Sequence, residues 1–184
     1  MSSFPRLAEP LSDEHVALRD YVERDIPEIL IAYQDDPYLH LAAGEDRPPS
    51  GAELGSRAER EPAVRAAGEG ATLTIVEPDA DTCRGQLRVR DVDWDNARAQ
   101  LLIWLAPQSR GQGLGRRALR VAGDWLLGPC QMARLEMFSE LDNAALMIAA
   151  GAAGFAREGV LRGYERKRED RIDMVVMSLI PADL

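Results

Sequence analysis

Apolar residues recur along this chain with two periods, and the places where the period changes mark its elements. Over residues 14–22, Glu-His-Val-Ala-Leu-Arg-Asp-Tyr-Val, they alternate with polar ones and predict a first strand. Asp25 and Pro27 stand where a helix begins, the aspartate as its cap and the proline in its first turn. That helix carries Ile29, Leu30 and Tyr33 and fades before Pro37. Residues 37–50, with Pro37, Gly44, Pro48, Pro49 and Ser50, predict a loop. A polar, alanine-rich helix follows over 51–67, with Pro62 as a point of breakage and Gly68-Glu69-Gly70 as its stop.

The period then shortens. Ala71 to Glu77, rich in Thr, Ile and Val, is a strand; Pro78 to Asp81 is a turn. Cys83 to Val92 is a second strand, with Leu87, Val89 and Val92 set against Arg88 and Arg90. After a turn at Asp93–Asn96, Ala97 to Leu105 is largely apolar and so predicted to be central. Three strands at such short spacing imply an antiparallel meander. Helical spacing returns with Leu114, Leu119, Ala122, Trp125 and Leu126, stopped by Gly128-Pro129. Arg134 to Phe138 is a short strand, and Asp142 caps an alanine-rich helix through Ala153. Two last strands, 155–165 and 171–180, are joined by a charged turn from Arg166 to Asp170. The order β-α-α-β-β-β-α-β-α-β-β predicts an α+β fold, a mixed sheet with helices on its faces.

With 184 residues and no internal repeat, one domain over 1–184 is expected. No apolar run approaches 18 residues, so no membrane span is expected. Met1 to Pro10 has neither the basic start nor the apolar stretch of a signal peptide. Cys83 and Cys130 are too few for a disulfide framework, and a reducing cytoplasm fits them. The net charge of −9 argues against a nucleic-acid partner. It suits a cationic or amine substrate, and equally an acidic surface that only aids solubility. Lys167 is the only lysine, so lysine-based covalent catalysis has one candidate.

The chemistry concentrates in Pro107-Gln-Ser-Arg-Gly-Gln-Gly-Leu-Gly-Arg-Arg117, between the central strand and the next helix. Glycine lets the backbone enter φ > 0 and lets a ligand approach the main chain. A helix start offers N–H groups without intrahelical partners and the positive end of the dipole. Such a turn receives phosphate oxygens, and Arg110, Arg116 and Arg117 add positive charge. The glycine spacing lacks the Lys-Ser/Thr of a P-loop.

Arg110-Gly-Gln-Gly113-Leu-Gly115 resembles the Arg/Gln-x-x-Gly-x-Gly/Ala motif of the GNAT superfamily of N-acetyltransferases. Ile103-Trp104-Leu105-Ala106-Pro107 precedes it as in that family. Asp142-Asn143, Gly154-Phe155, Glu158-Gly-Val-Leu-Arg162 and Asp173 to Leu179 follow in family order, in the manner of the RimJ/RimL branch. The resemblance covers residues 83–180 and implies acetyl-CoA as acyl donor. It implies that Arg110, Gly111, Gln112, Gly113, Leu114, Gly115 and Arg116 receive the pyrophosphate on their amides. It further implies that pantetheine pairs with Ile103, Trp104 and Leu105, where this strand and 134–138 splay, and that Asn143 binds the cofactor near its sulfur. A homodimer is compatible with it.

Acetyl transfer needs a neutral amine, a donor to the developing oxyanion and a departing thiolate. Glu165 is the first candidate base and Glu136 the second; each also reads as a solvated carboxylate. A backbone N–H such as that of Leu105 is the candidate oxyanion donor. Asn143 reads alternatively as a helix cap beside Asp142. Asp91 and Asp93 read as turn residues, Trp104 and Trp125 as core, and His15 and His40 carry no triad or metal signature. Two positions depart from the RimL-like pattern: Leu146 stands where a serine acid is usual, and Met177 where a tyrosine is. The acceptor is thus an amine-bearing small molecule or a peptide N-terminus, and the alternative is a catalytically weak CoA-binding module.

Overall fold

The computed structural model describes residues 3–167 and 169–183. Its strands are β1 (Leu11–Ser12), β2 (Ala17–Asp20), β3 (Ala71–Val76), β4 (Cys83–Asp93), β5 (Arg98–Leu105), β6 (Arg134–Glu140), β7 (Ala156–Lys167) and β8 (Asp170–Leu179). Its helices are α1 (Ile26–Asp35), α2 (Leu39–Ala42), α3 (Gly51–Ala66), α4 (Leu114–Leu127) and α5 (Ala144–Ala152). The strands form one sheet in the order β1-β2-β3-β4-β5-β6-β8-β7. The meander β3-β4-β5 is antiparallel and β5 is interior, as its apolar run predicts. The α+β class is that expected.

One pairing shapes the molecule. β5 and β6 are parallel and share only the register pairs Arg98↔Arg134, Ala99↔Leu135 and Gln100↔Glu136. Beyond them β5 runs on to Leu105 against β4, and β6 runs on to Glu140 against β8. Beyond Gln100 and Glu136 the two strands therefore diverge and leave a gap between them. Two apolar layers flank the sheet. Leu101, Leu135, Met137, Val175 and Met177 pack with α4 on one face. Trp104 packs with Tyr33, Leu39 and Leu54 of α1–α3 on the other.

Several local expectations are corrected. The first strand is shorter than 14–22 and gains a partner in β1, because the Asp13 carboxylate accepts the N–H groups of His15 and Val16 and turns the chain there. Asp25 precedes α1 but does not cap it; buried, it pairs with Arg19 at 2.6 Å and accepts from Thr74 Oγ1. The predicted loop 37–50 contains α2, held by burial of Leu39 and Ala43. α3 runs unbroken through Pro62; Ser50 opens it by a reciprocal bond pair with Glu53. α5 is capped by Asn143 rather than Asp142. The final hairpin turn is tighter than 166–170, and Arg168 lies outside the described residues. No helix among the described residues is long and apolar enough to cross a membrane.

Candidate active site

The glycine loop leaves β5 through a short turn at Pro107–Ser109. Gly111 and Gly113 have φ of +74° and +79°, the left-handed region that glycine enters without strain. A Cβ on either would meet nothing within 4 Å, so the loop's main chain is open on that side. Gly113 leads into α4, which no side chain caps, so its first-turn N–H groups lack a side-chain acceptor. Gly115 has a different task. A Cβ there would lie 3.5 Å from Leu105 Cδ1 and 3.9 Å from Ala149 Cβ, so the end of β5, α4 and α5 converge on it.

The arginines divide their work. Arg110 turns away from the helix start: its Nε donates to Leu105 O at 3.0 Å, and its Nη2 pairs with Asp36 at 2.7 Å. Its backbone N–H donates to Pro107 O at 3.3 Å, so neither its side chain nor its amide is left open for the phosphate contact expected of it. Arg117 pairs with Asp13 at 3.0 Å. Exposed Arg116 has no ion-pair partner among the described residues and flanks an open groove of about 390 Å³. Gln112, Leu114, Arg117 and His15 share that groove with Glu14 and Glu77. His15, given no role from sequence alone, thus stands beside the loop. Uncapped amides, open glycines and an unpaired arginine fit a diphosphate and a further phosphate.

The gap has two kinds of wall. Ile103 and Leu105 are half-buried on the α4 side. Trp104 is buried against Tyr33 on the opposite face, and its carbonyl is directed at Gly85 of β4, away from the gap. Asn143 stands between β6 and α5 with its Oδ1 accepting the Leu146 N–H at 3.1 Å, which leaves its amide NH₂ for other partners.

Of the two candidate bases, Glu136 is the last β6 residue paired to β5, at the apex of the gap. It is already engaged: Arg134 Nε pairs with it at 2.7 Å, while Nη2 of the same arginine reaches Glu158 at 2.6 Å. Arg134, then Ser178, hold the Glu158 carboxyl down at about 2. Glu165 is exposed on the distal part of β7, past a register shift and Gly163 at φ +58°. This distal part is tied to β6 by a stack of Phe138 on Tyr164 at 5.0 Å and by a pair of Lys167 with Glu140 at 2.7 Å. Lys167 is therefore an anchor rather than a free nucleophile. Burial pushes the thiols of Cys83 and Cys130 up to about 12, so neither is poised for nucleophilic work.

A gap between diverging parallel strands, entered beside an uncapped helix and a glycine loop, coincides with a sequence match. Residues 15–156 match the family described as the acetyltransferase (GNAT) domain. The chain belongs to this family. An uncharacterized N-acetyltransferase of Bacillus licheniformis, p20, is 25% identical over 113 residues. That match covers 61% of this chain and 64% of p20, under two thirds of the relative's length. Mycobacterium smegmatis RimJ in complex with CoA-disulfide superposes with a TM-score of 0.82 at 22% identity, covering 96% of this chain and 88% of RimJ. RimL, a ribosomal L7/L12 α-N-protein acetyltransferase in complex with CoA, gives 0.79 at 17% identity, covering 94% and 98%. The GNAT fold thus extends beyond the stretch that sequence similarity marks.

Proposed function

We propose that the chain is an acetyl-CoA-dependent N-acetyltransferase acting on a primary amine. The observation that carries this reading is the β5–β6 gap opening beside the uncapped start of α4 and its left-handed glycines. The amides from Gly111 to Arg116 hold the diphosphate, and Arg116 gives it charge. The gap edge of β5 at Ile103 and Leu105 holds the pantetheine amides, and Asn143 NH₂ lies toward the thiol end. Bound acetyl-CoA supplies a thioester whose carbonyl carbon is the electrophile.

Glu165 takes the proton from the incoming ammonium, directly or through water, so that nitrogen attacks as the neutral amine. A backbone N–H at the end of β5, such as that of Leu105, donates to the carbonyl oxygen as charge develops there. Glu136 is the counter-ion of Arg134 at the gap's apex. Alignment of amine and thioester supplies much of the remaining acceleration. RimL, by its description, acetylates a protein N-terminus. A peptide N-terminus and an amine-bearing small molecule are the acceptor classes proposed here. A cytoplasmic setting belongs to the reading and is supported by Cys83 and Cys130 as free thiols.

The test of cofactor binding is calorimetric titration with acetyl-CoA. Wild type should bind and Gly113→Glu should lose most affinity, since a carboxylate would enter the phosphate site at a left-handed position. Equal affinity in the two proteins would remove the assignment. A second reading, a CoA-binding module with little turnover, draws support from Leu146 and Met177. Both are packed in apolar surroundings where the family pattern has hydroxyls.

A further inference from the structure

The acetyl-transfer reading leaves one atom without a partner, the sulfur that departs as the amide forms. Leu146 packs against the core, and its N–H is taken by Asn143. Met177 is buried in the same core. The diverging part of β5 reads Leu-Leu-Ile-Trp-Leu105, and that of β6 reads Met-Phe-Ser-Glu140. Leu141-Asp-Asn143 and the whole of α5 follow. In all of these segments Ser139 has the single hydroxyl, and no thiol is present.

Its placement suits a sulfur. Leu135 and Met137 are buried in the α4-side core, and Ser139 continues their alternation on β6. It is 2% exposed and stands three residues beyond Glu136, the last β6 residue paired with β5. Across the sheet it pairs only toward β8, at Val175, so its other edge borders the gap. Its Oγ donates to the carbonyl of its own neighbour, Glu140 O, at 3.1 Å. Such a local bond is given up by rotation about a single side-chain torsion.

We propose that Ser139 is a catalytic hydrogen-bond donor whose Oγ–H faces the leaving sulfur. This rests on the acetyl-transfer reading. The amine nitrogen forms the C–N bond, the C–S bond breaks, and its electron pair stays on sulfur. The amine's proton goes to Glu165 or solvent. Ser139 keeps its own proton, because an alcohol is a far weaker acid than a thiol of pKa about 8.5. It stabilises the thiolate as an acceptor, and the thiolate then takes a proton from solvent.

A donor to a charged acceptor supports a rate effect of about 10- to 100-fold. Ser139→Ala should lower kcat by that factor and leave acetyl-CoA affinity, read by calorimetry, within about twofold. Ser139→Thr, which keeps the hydroxyl, should restore most of the rate. Ser139→Cys tests position independently of turnover. Its thiolate should attack CoA disulfide, form a mixed disulfide and release one CoA thiolate. The protein should then gain the mass of one CoA, and acetyl-CoA should protect it. Wild type, with both native cysteines buried, should gain none. Unchanged kcat in Ser139→Ala would overturn the proposal, as would an unlabelled Ser139→Cys protein that still binds acetyl-CoA. Failure of wild type to bind acetyl-CoA would instead strike the acetyl-transfer reading, and this proposal with it.

Discussion

Gly113 and Gly115 sit two residues apart and answer to different physics. Gly113 needs its left-handed conformation, which costs an L-residue about 1–2 kcal/mol. Gly115 lies within α4, where a methyl group would meet Leu105 and Ala149 at ordinary contact distance. Gly113→Ala should therefore lower the melting temperature and weaken acetyl-CoA, while Gly115→Ala should leave both nearly unchanged. Thermal melts and titrations of the two variants check this, and equal losses in both would assign the glycines one shared task. The Arg-x-x-Gly-x-Gly spacing was legible as a phosphate loop because glycine and a helix start are local signals. The direction of the Arg110 side chain was not, since Asp36 lies 74 residues away and α1 must pack first to bring it there. Ser139 was missed for a similar reason. The predicted strand stops one residue short of it at Phe138, and only the β5–β6 pairing shows which strand edges border the gap.

The hairpin β7–β8 extends past the end of β6 and is fastened there by Phe138–Tyr164 and Glu140–Lys167. Glu165 lies between the two fastened residues in sequence, so its position depends on both contacts. Lys167→Ala should reduce kcat and raise KM for the acceptor while acetyl-CoA affinity stays constant. Steady-state kinetics with each substrate varied in turn separates these effects. A parallel change in acetyl-CoA affinity would show that the hairpin supports the cofactor side instead. Strands and helices with strong periodicity were read from sequence nearly to their ends, as for β4 and α4. α2 and the continuity of α3 through Pro62 were not. Proline and glycine are local punctuation, and here tertiary burial of Leu39, Ala43, Leu54 and Arg65 prevailed over them.

Ion pairs set how the whole chain responds to pH. Arginine partners hold Asp81, Glu53 and Glu158 below the usual carboxylate range. Burial pushes Asp13, Asp36 and Glu45 up, and N–H donors outweigh it, so these too lie low. Between folded and unfolded values the unfolded chain binds more protons. Stability from these groups is full above an unfolded pKa of about 4 and is lost as pH falls through the folded values. Glu61 has the opposite sign. Burial of this α3 side chain against β3 holds its carboxyl up, so its contribution is full at low pH and lost as pH rises through the folded value. Glu61→Gln keeps an acceptor for the Thr72 N–H. It should match wild type near pH 4 and melt higher than wild type as pH rises through the raised value; a constant difference would contradict this. In the proposed reading the β5–β6 gap is where acetyl transfer takes place. The measurement that bears most directly on it is release of free CoA thiol from acetyl-CoA, followed against a panel of amines and N-terminal peptides. Acceptor-dependent release that slows in Glu165→Gln, with acetyl-CoA affinity unaltered, is the predicted result. Tight acetyl-CoA binding with no release above background for any acceptor would contradict it and favour a binding module.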